Sequence, residues 1–182
     1  MNPVWLIRAG LLWQATVFAQ SFFERQSQYK QAREYADAVG KPLVVVGGPY
    51  GAGWLSFIRR SGIFQPFVHG SGDVCYDREA GACQGSPHYI LGDIRDMSVF
   101  PSKTFGAAFA SHILEHMPTV EDCIQAWNEL HRVADKVFVC VPSRQSVHAW
   151  LIHDHYLWVD IAEDKLYIEE RQGGHRNAVL TG

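Results

Sequence analysis

Residues 43–53 read LVVVGGPYGAG, and this stretch decides the fold class. It opens with a short apolar run rich in valine. Continuous apolarity of this length favours a strand that is buried on both faces, as in a parallel sheet. A glycine-rich turn follows at 47–53, and residues 54–60 have the composition of a helix. A strand, a glycine turn and a helix in this order are the opening of a doubly wound α/β fold.

The same alternation continues along the chain. Short apolar segments predict strands at 73–77, 88–91, 105–111 and 136–141, and apolar residues at helical spacing predict an amphipathic helix at 120–133. Residues 155–171 predict an antiparallel hairpin with Glu163 and Asp164 at its turn. We therefore predict a Rossmann-like, doubly wound α/β fold. Its sheet is mostly parallel, with seven strands or slightly fewer, and an antiparallel hairpin lies at the C-terminus.

The amino-terminal segment is a separate feature. Residues 4–23 are strongly apolar but contain Arg8, and a membrane span of about 20 residues tolerates few charges. The basic start of a signal peptide is missing. Helix formers continue to residue 39, and Gly40 predicts the helix end. We predict a helical segment at 1–40 that packs on the domain formed by 41–182. A peripheral membrane surface or a partner protein is the alternative contact, and a true span or a signal is the remaining one.

The composition is that of a folded protein. Of the 182 residues 47% are apolar and 19% are charged, and the formal net charge is -3. This balance argues against a broad nucleic-acid surface, so we predict that nucleic acid is not a partner. The four cysteines contain no CxxC pair, and a chain of this size with so few cysteines predicts reduced thiols and no disulfide framework. We predict a cytoplasmic protein, with membrane association as a further possibility through the amino-terminal helix.

The middle of the chain carries the most specific motifs. Residues 91–97 read LGDIRDM, residues 100–105 read FPSKTF and residues 110–118 read ASHILEHMP. ELHRV at 129–133 and VCVP at 139–142 complete the pattern. These motifs resemble the class I S-adenosylmethionine-dependent methyltransferase family of type 11. The resemblance implies that 41–182 form a methyltransferase-like domain, with S-adenosylmethionine as cofactor and a small-molecule or protein acceptor that the sequence does not identify.

The resemblance also implies a cofactor pocket along the carboxyl ends of the first four strands. Bare glycine backbone approaches the ribose and the methionine part, a carboxylate at the second strand end accepts the ribose hydroxyls, and the turn after the third strand binds adenine. The residues with these roles are Gly47, Gly51 and Gly53; Asp77, with Asp73 as the alternative; and Asp93 with Ile94. Ser111 and His112 would face the methionine arm and the methyl group.

Methyl transfer requires alignment of the nucleophile with the methyl group and exclusion of water. A base is needed only where the acceptor is protonated at the working pH. The nearest candidates for catalytic groups are His112, Glu115 and His116. Second choices come from the C-terminal part, namely His153, His155 and Tyr156.

Three other functions fit parts of the sequence. HxxEH at 112–116 also fits an inverted zinc-peptidase signature, but the preceding strand and Pro118 leave little room for the helix that this motif needs. We therefore predict no metal ion. A nicotinamide-binding protein would need GxGxxG spacing, which the loop lacks. The third alternative is a non-enzymatic binding or scaffolding module of the same fold. Val46 and Gly106 motivate it, because the family usually has acidic residues at these positions. The short C-terminal region and the apolar amino-terminal helix also favour it.

Overall fold

The computed structural model describes residues 3–50, 68–79, 81–162, 165–171 and 176–179. The predicted helix at 54–60 lies outside the described residues. In chain order the elements are α1 (Pro3–Val39), β1 (Leu43–Val46), β2 (Val74–Asp77), β3 (Tyr89–Leu91), β4 (Phe105–Ser111), a 3₁₀ turn (Leu114–His116), α2 (Val120–Val133), β5 (Ala134–Cys140), α3 (Val147–Leu151), β6 (Leu157–Ala162), β7 (Lys165–Glu170) and β8 (Arg176–Val179).

The first five strands form one parallel sheet in the order β3-β2-β1-β4-β5. The predicted Rossmann-like α/β fold with its parallel sheet is confirmed, at five strands. All four residues of β1 are buried, as their continuous apolarity predicted. The chain runs from β1 to β3 on one side and continues with β4 and β5 on the other. In such sheets the ligand crevice lies at this reversal, outside the carboxyl ends of the strands.

A second, antiparallel sheet in the order β6-β7-β8 follows at the C-terminus. The predicted hairpin is confirmed as β6 and β7, whose predicted turn at Glu163 and Asp164 lies outside the described part. The pairing of β8 with β7 adds a strand that the sequence did not predict. Leu157 and Leu166 belong to the same buried cluster as the apolar face of α2. The small sheet therefore shares a core with the parallel sheet.

Helix α1 covers the other face of the parallel sheet. Ala32 and Ala36 are fully buried against residues of β1, β4 and β5. The close approach depends on Gly106, because a Cβ at this position would lie 2.7 Å from Cγ2 of Val39 and 3.0 Å from Cα of Ala36. Packing of α1 on the start of β4 thus requires a residue without a side chain at this position.

The amino-terminal half of α1 carries a continuous set of exposed apolar side chains. Gln14 ties this half to the body, since its amide donates to the carbonyl of Gln145 and its oxygen accepts the N–H of Val147. Within the described ranges, no helix has the length and apolarity needed to span a membrane. The large exposed side chains are Val4, Trp5, Leu6, Ile7, Leu11, Leu12, Trp13, Phe18 and Phe23.

The expectation of four reduced cysteines was wrong for one pair. Cys75, in the middle of β2, forms a disulfide with Cys83, and their Cα atoms are 5.7 Å apart. The turn after β2 folds back beside the strand, and no local pattern in the sequence announces that return. Cys123 and Cys140 are free thiols in the core, and burial raises the pKa of each to about 12.

Candidate functional site

The carboxyl ends of the central strands meet at one edge of the parallel sheet. Backbone hydrogen bonds continue the strand pairing past the strand ends. The N–H of Gly47 donates to the backbone carbonyl of Tyr76 at 3.1 Å, and the N–H of Gly92 donates to the backbone carbonyl of Asp77 at 3.0 Å. On the other side of the sheet, the backbone N–H of His112 donates to the backbone carbonyl of Cys140 at 2.9 Å. The turns after β1 and β3 are therefore held to the end of β2, and the turn after β4 is held to the end of β5.

Gly47 leaves β1 in a conformation that only glycine adopts easily. Its φ is 78°, in the left-handed region, and a Cβ there would lie 1.9 Å from Cδ1 of Ile113. Gly48 is just as restricted, because its Cβ would meet the carbonyl oxygen of Ala82 at 2.2 Å. The backbone after β1 is thus closely covered by Ile113 and Ala82, so both positions require glycine. Gly51 and Gly53 lie outside the described residues.

The two candidate ribose carboxylates lie at opposite ends of β2. Asp77 is the last residue of the strand, at the sheet edge, where its Oδ1 accepts the N–H of Glu79 at 2.8 Å. Burial raises the pKa of the Asp77 carboxyl. Asp73 precedes the strand. Its Oδ2 accepts hydrogen bonds from the guanidinium of Arg33 at 2.6 Å and from the backbone N–H of Leu43 at 2.7 Å. Asp73 is therefore occupied in holding α1 and β1, which leaves Asp77 as the strand-end carboxylate.

Asp93 follows β3 and is clamped by an arginine. Oδ1 of Asp93 accepts the backbone N–H and the Nε of Arg95, and Oδ2 accepts its Nη2 at 2.7 Å. The same guanidinium donates to Asp122 in the first turn of α2 at 2.8 Å. Hydrogen bonds from Arg95 hold the pKa of Asp93 below its usual range, so the carboxylate stays ionised. Ile94, between the two, is buried with 6% of its side-chain surface exposed.

The turn that carries Asp93 is also tied to β2. The hydroxyl of Tyr76 donates to the carbonyls of Asp93 at 3.1 Å and Asp96 at 2.9 Å. Gly92 passes directly over this ring, and a Cβ at Gly92 would lie 2.0 Å from the Tyr76 hydroxyl oxygen. The tyrosine therefore sets the path of the predicted adenine-binding turn, a role that nothing in the sequence pattern signalled.

The end of β4 brings Ser111 and His112 to the same edge. Ser111 is the last residue of the strand and is 6% exposed. His112 has a φ of 57°, which is uncommon for a residue with a side chain and recurs at functional sites. Its Nδ1 lies 3.3 Å from Oε1 of Glu115. The backbone thus turns sharply at His112 and directs its imidazole to the following 3₁₀ turn.

The predicted catalytic residues are close together, but they differ in exposure. Glu115 is fully buried, whereas the side chains of His112 and His116 are about a third exposed. His155, a second choice in the sequence, joins them: its Nε2 lies 3.9 Å from Oε1 of Glu115 and its ring is 4.6 Å from that of His116. His153 is exposed and is not part of this cluster.

Part of the chain is similar to a known protein family. Residues 70–140 match the model of the family described as "Methyltransferase domain". A solved structure, the PH0226 protein from Pyrococcus horikoshii OT3, is 17% identical to this chain. The alignment covers 82% of this chain and 75% of the PH0226 chain, with a TM-score of 0.40. A search of the curated proteins found no match.

The family match covers the region from the start of β2 to the end of β5, which contains Asp77, Asp93 and Ser111. The strand order of the parallel sheet agrees with the doubly wound fold of this family. Residues 70–140 of this chain are therefore similar to the methyltransferase domain family in both sequence and strand order.

Proposed function

We propose that this protein binds S-adenosylmethionine at the carboxyl edge of the parallel sheet and transfers its methyl group to an acceptor. One observation carries the proposal: a glycine backbone without side chains, two carboxylates and Ser111 meet at the end of neighbouring parallel strands, in the region that the methyltransferase family model matches. Such an edge is where doubly wound folds bind nucleotide-like ligands.

The residues present fit the cofactor by their chemistry. At Gly47 the absence of a Cβ lets the side chain of Ile113 pack on the backbone, which fixes the turn after β1 at the edge where we place the ligand. The carboxylate of Asp77 suits paired ribose hydroxyls, which are hydrogen-bond donors. The bound cofactor supplies a sulfonium-linked methyl group that is already reactive. The protein is therefore left to align the acceptor and to exclude water.

The adenine end has a different requirement. Because Arg95 occupies both oxygens of Asp93, an adenine amino group must share the carboxylate through its remaining lone pairs. The backbone of Ile94, held in place by its buried side chain, is then the second contact that we assign to adenine. The Arg95 clamp fixes the carboxylate before any ligand arrives, so less conformational freedom is lost on binding.

Cofactor affinity and methyl transfer test the proposal separately. Isothermal titration with S-adenosylmethionine is expected to show one site, and Asp77→Asn is expected to weaken binding by about tenfold or more, since it removes a charge-assisted hydrogen bond. Glu79→Gln, an exposed carboxylate in the same turn, is the matched control and should bind as the wild type does. Equal affinity of the wild type and Asp77→Asn contradicts the assignment of the pocket.

Transfer itself is read from labelled cofactor. Incubation of the protein with methyl-labelled S-adenosylmethionine and a cell extract should label an acceptor, and Asp77→Asn should label it more slowly. The alternative, a non-enzymatic binding module, predicts cofactor binding without any labelled product. The identity of the labelled fraction, small molecule or protein, then names the class of the acceptor.

A further inference from the structure

A buried carboxylate and two imidazoles converge beside the sheet edge, outside the contacts assigned to the cofactor. Glu115 and His116 lie in the 3₁₀ turn after β4, and His155 lies just before β6. One ligand atom from each residue lies within 4.8 Å of the others. The N–H of Tyr156 donates to the carbonyl of Glu115 at 2.8 Å and so holds the two segments together.

Glu115 lacks the hydrogen bonds that a buried carboxylate needs. Its side chain is completely buried, and neither carboxylate oxygen has a hydrogen bond in the described part of the chain. Its ion-pair neighbours there are both histidines, with Nδ1 of His112 at 3.3 Å and Nε2 of His155 at 3.9 Å from Oε1. An isolated buried charge costs several kcal/mol unless it is paired or coordinates a metal.

His116 is oriented as a metal ligand is. Nδ1 of His116 lies 3.0 Å from the carbonyl of Asp154, so it carries the hydrogen and donates, which leaves the lone pair on Nε2. A second contact to Oδ2 of Asp154, at 3.2 Å, supports the same tautomer. Histidines that bind metals usually donate their other N–H to a carbonyl or carboxylate in this way. The ring of His155 is buried, and its Nδ1 has no hydrogen bond among the described residues.

From this arrangement we infer that Glu115, His116 and His155 bind a divalent first-row transition-metal cation. Two imidazoles and one carboxylate suit Zn²⁺, Mn²⁺ or Fe²⁺ better than the all-oxygen sites of Mg²⁺ and Ca²⁺. Metal–ligand bonds of about 2.0–2.2 Å require the three side chains to draw together by roughly 1 Å. Three protein ligands leave a further coordination position for water or for an oxygen of another ligand.

This site differs from the peptidase signature that the letters HILEH suggest. That motif needs both histidines on one face of a helix, whereas residues 114–116 form a single 3₁₀ turn and His112 has a left-handed backbone. The second histidine ligand comes instead from His155, 39 residues after His116 in the sequence. The inference does not depend on methyl transfer, because it rests on the buried carboxylate and its neighbours alone.

Metal binding by the untagged protein tests the inference. After removal of metals with a chelator, titration with Zn²⁺ and with Mn²⁺ is expected to show one cation per chain by calorimetry, and Co²⁺ should give visible absorption bands of a protein-bound ion. Glu115→Gln and His155→Asn are each expected to weaken binding at least tenfold. The matched control is His153→Asn, which removes an exposed histidine from the same segment and should bind as the wild type does.

A second readout separates loss of the site from loss of the fold. The cation should raise the melting temperature of the wild type but not that of Glu115→Gln. Without metal, Glu115→Gln should be at least as stable as the wild type, because it removes a buried carboxylate that has no hydrogen bond among the described residues. The absence of binding by the wild type, or equal binding by Glu115→Gln and His155→Asn, overturns the inference. S-adenosylmethionine affinity, measured on metal-free protein, reports on the proposed function independently.

Discussion

A buried histidine that packs against α1 and β4 makes the stability of this protein depend on pH. His69 is 6% exposed, and its ring packs edge-to-face on Phe109, with the centroids 4.8 Å apart. Burial lowers the pKa of His69 from 6.5 to about 4, and the positive charge of Arg25 acts in the same direction. Nδ1, which lies 2.9 Å from the carbonyl of Gly70, opposes that shift only in part.

The size of the effect follows from the two pKa values. In the unfolded chain the imidazole takes up a proton as the pH falls below 6.5, whereas the folded protein keeps it neutral down to about pH 4. Because the unfolded state binds more protons in this window, acidification lowers the free energy of unfolding. Between about pH 7.5 and pH 5 the loss from His69 alone is about 2 kcal/mol, and it approaches ~3 kcal/mol at lower pH.

Urea unfolding at the two pH values measures this loss. The wild type and His69→Phe are compared, and the free energy of unfolding of His69→Phe should fall by about 2 kcal/mol less between pH 7.5 and pH 5. Tyr29→Phe is the control: Tyr29 packs beside His69, with the ring centroids 5.7 Å apart, and the variant keeps the imidazole. It should follow the wild type. The argument is refuted if the free energy of unfolding falls by the same amount between pH 7.5 and pH 5 in His69→Phe and in the wild type.

Three further predictions concern the turns and the amino terminus. Gly92→Ala should lower the free energy of unfolding by about 1–3 kcal/mol in urea, because its Cβ would overlap the hydroxyl of Tyr76. Reduction of the bond between Cys75 and Cys83 should cost about 2.5 kcal/mol by the loop-entropy model, and urea unfolding with and without reductant measures it. Removal of residues 1–13 should weaken sedimentation with phospholipid vesicles or reduce the oligomeric state in light scattering. If both assays give the same result before and after the removal, the prediction that this segment makes an external contact is wrong.

Local patterns in the sequence predicted most of the fold. The apolar run before Gly47 predicted a doubly buried strand, and helical spacing predicted α2 over Val120–Val133. Gly40 was predicted to end the first helix, and it follows α1 with a φ of 67°. These features could be predicted because burial repeats with a period that each segment carries in its own residues. Strand β8 lacked such a pattern and was missed.

The candidate site was predictable in its position along the sheet but not in its contacts. Asp77 and Asp93 follow strands, so their place at the edge could be inferred from the strand ends. The clamp of Arg95 on Asp93, and the choice between Asp77 and Asp73, depend on which groups lie nearby in space. Sequence patterns within one segment contain no information on such neighbours.

The sequence by itself determined the order of strands and helices, the parallel sheet and the edge where its polar residues collect. Only the tertiary structure decided that Cys83 returns to Cys75, that α1 packs on the bare backbone of Gly106, and that His155 closes on the buried Glu115. The physical reason is one of range. Hydrophobic period and turn chemistry act between residues a few positions apart, whereas these contacts join residues that become neighbours only when the whole core has packed.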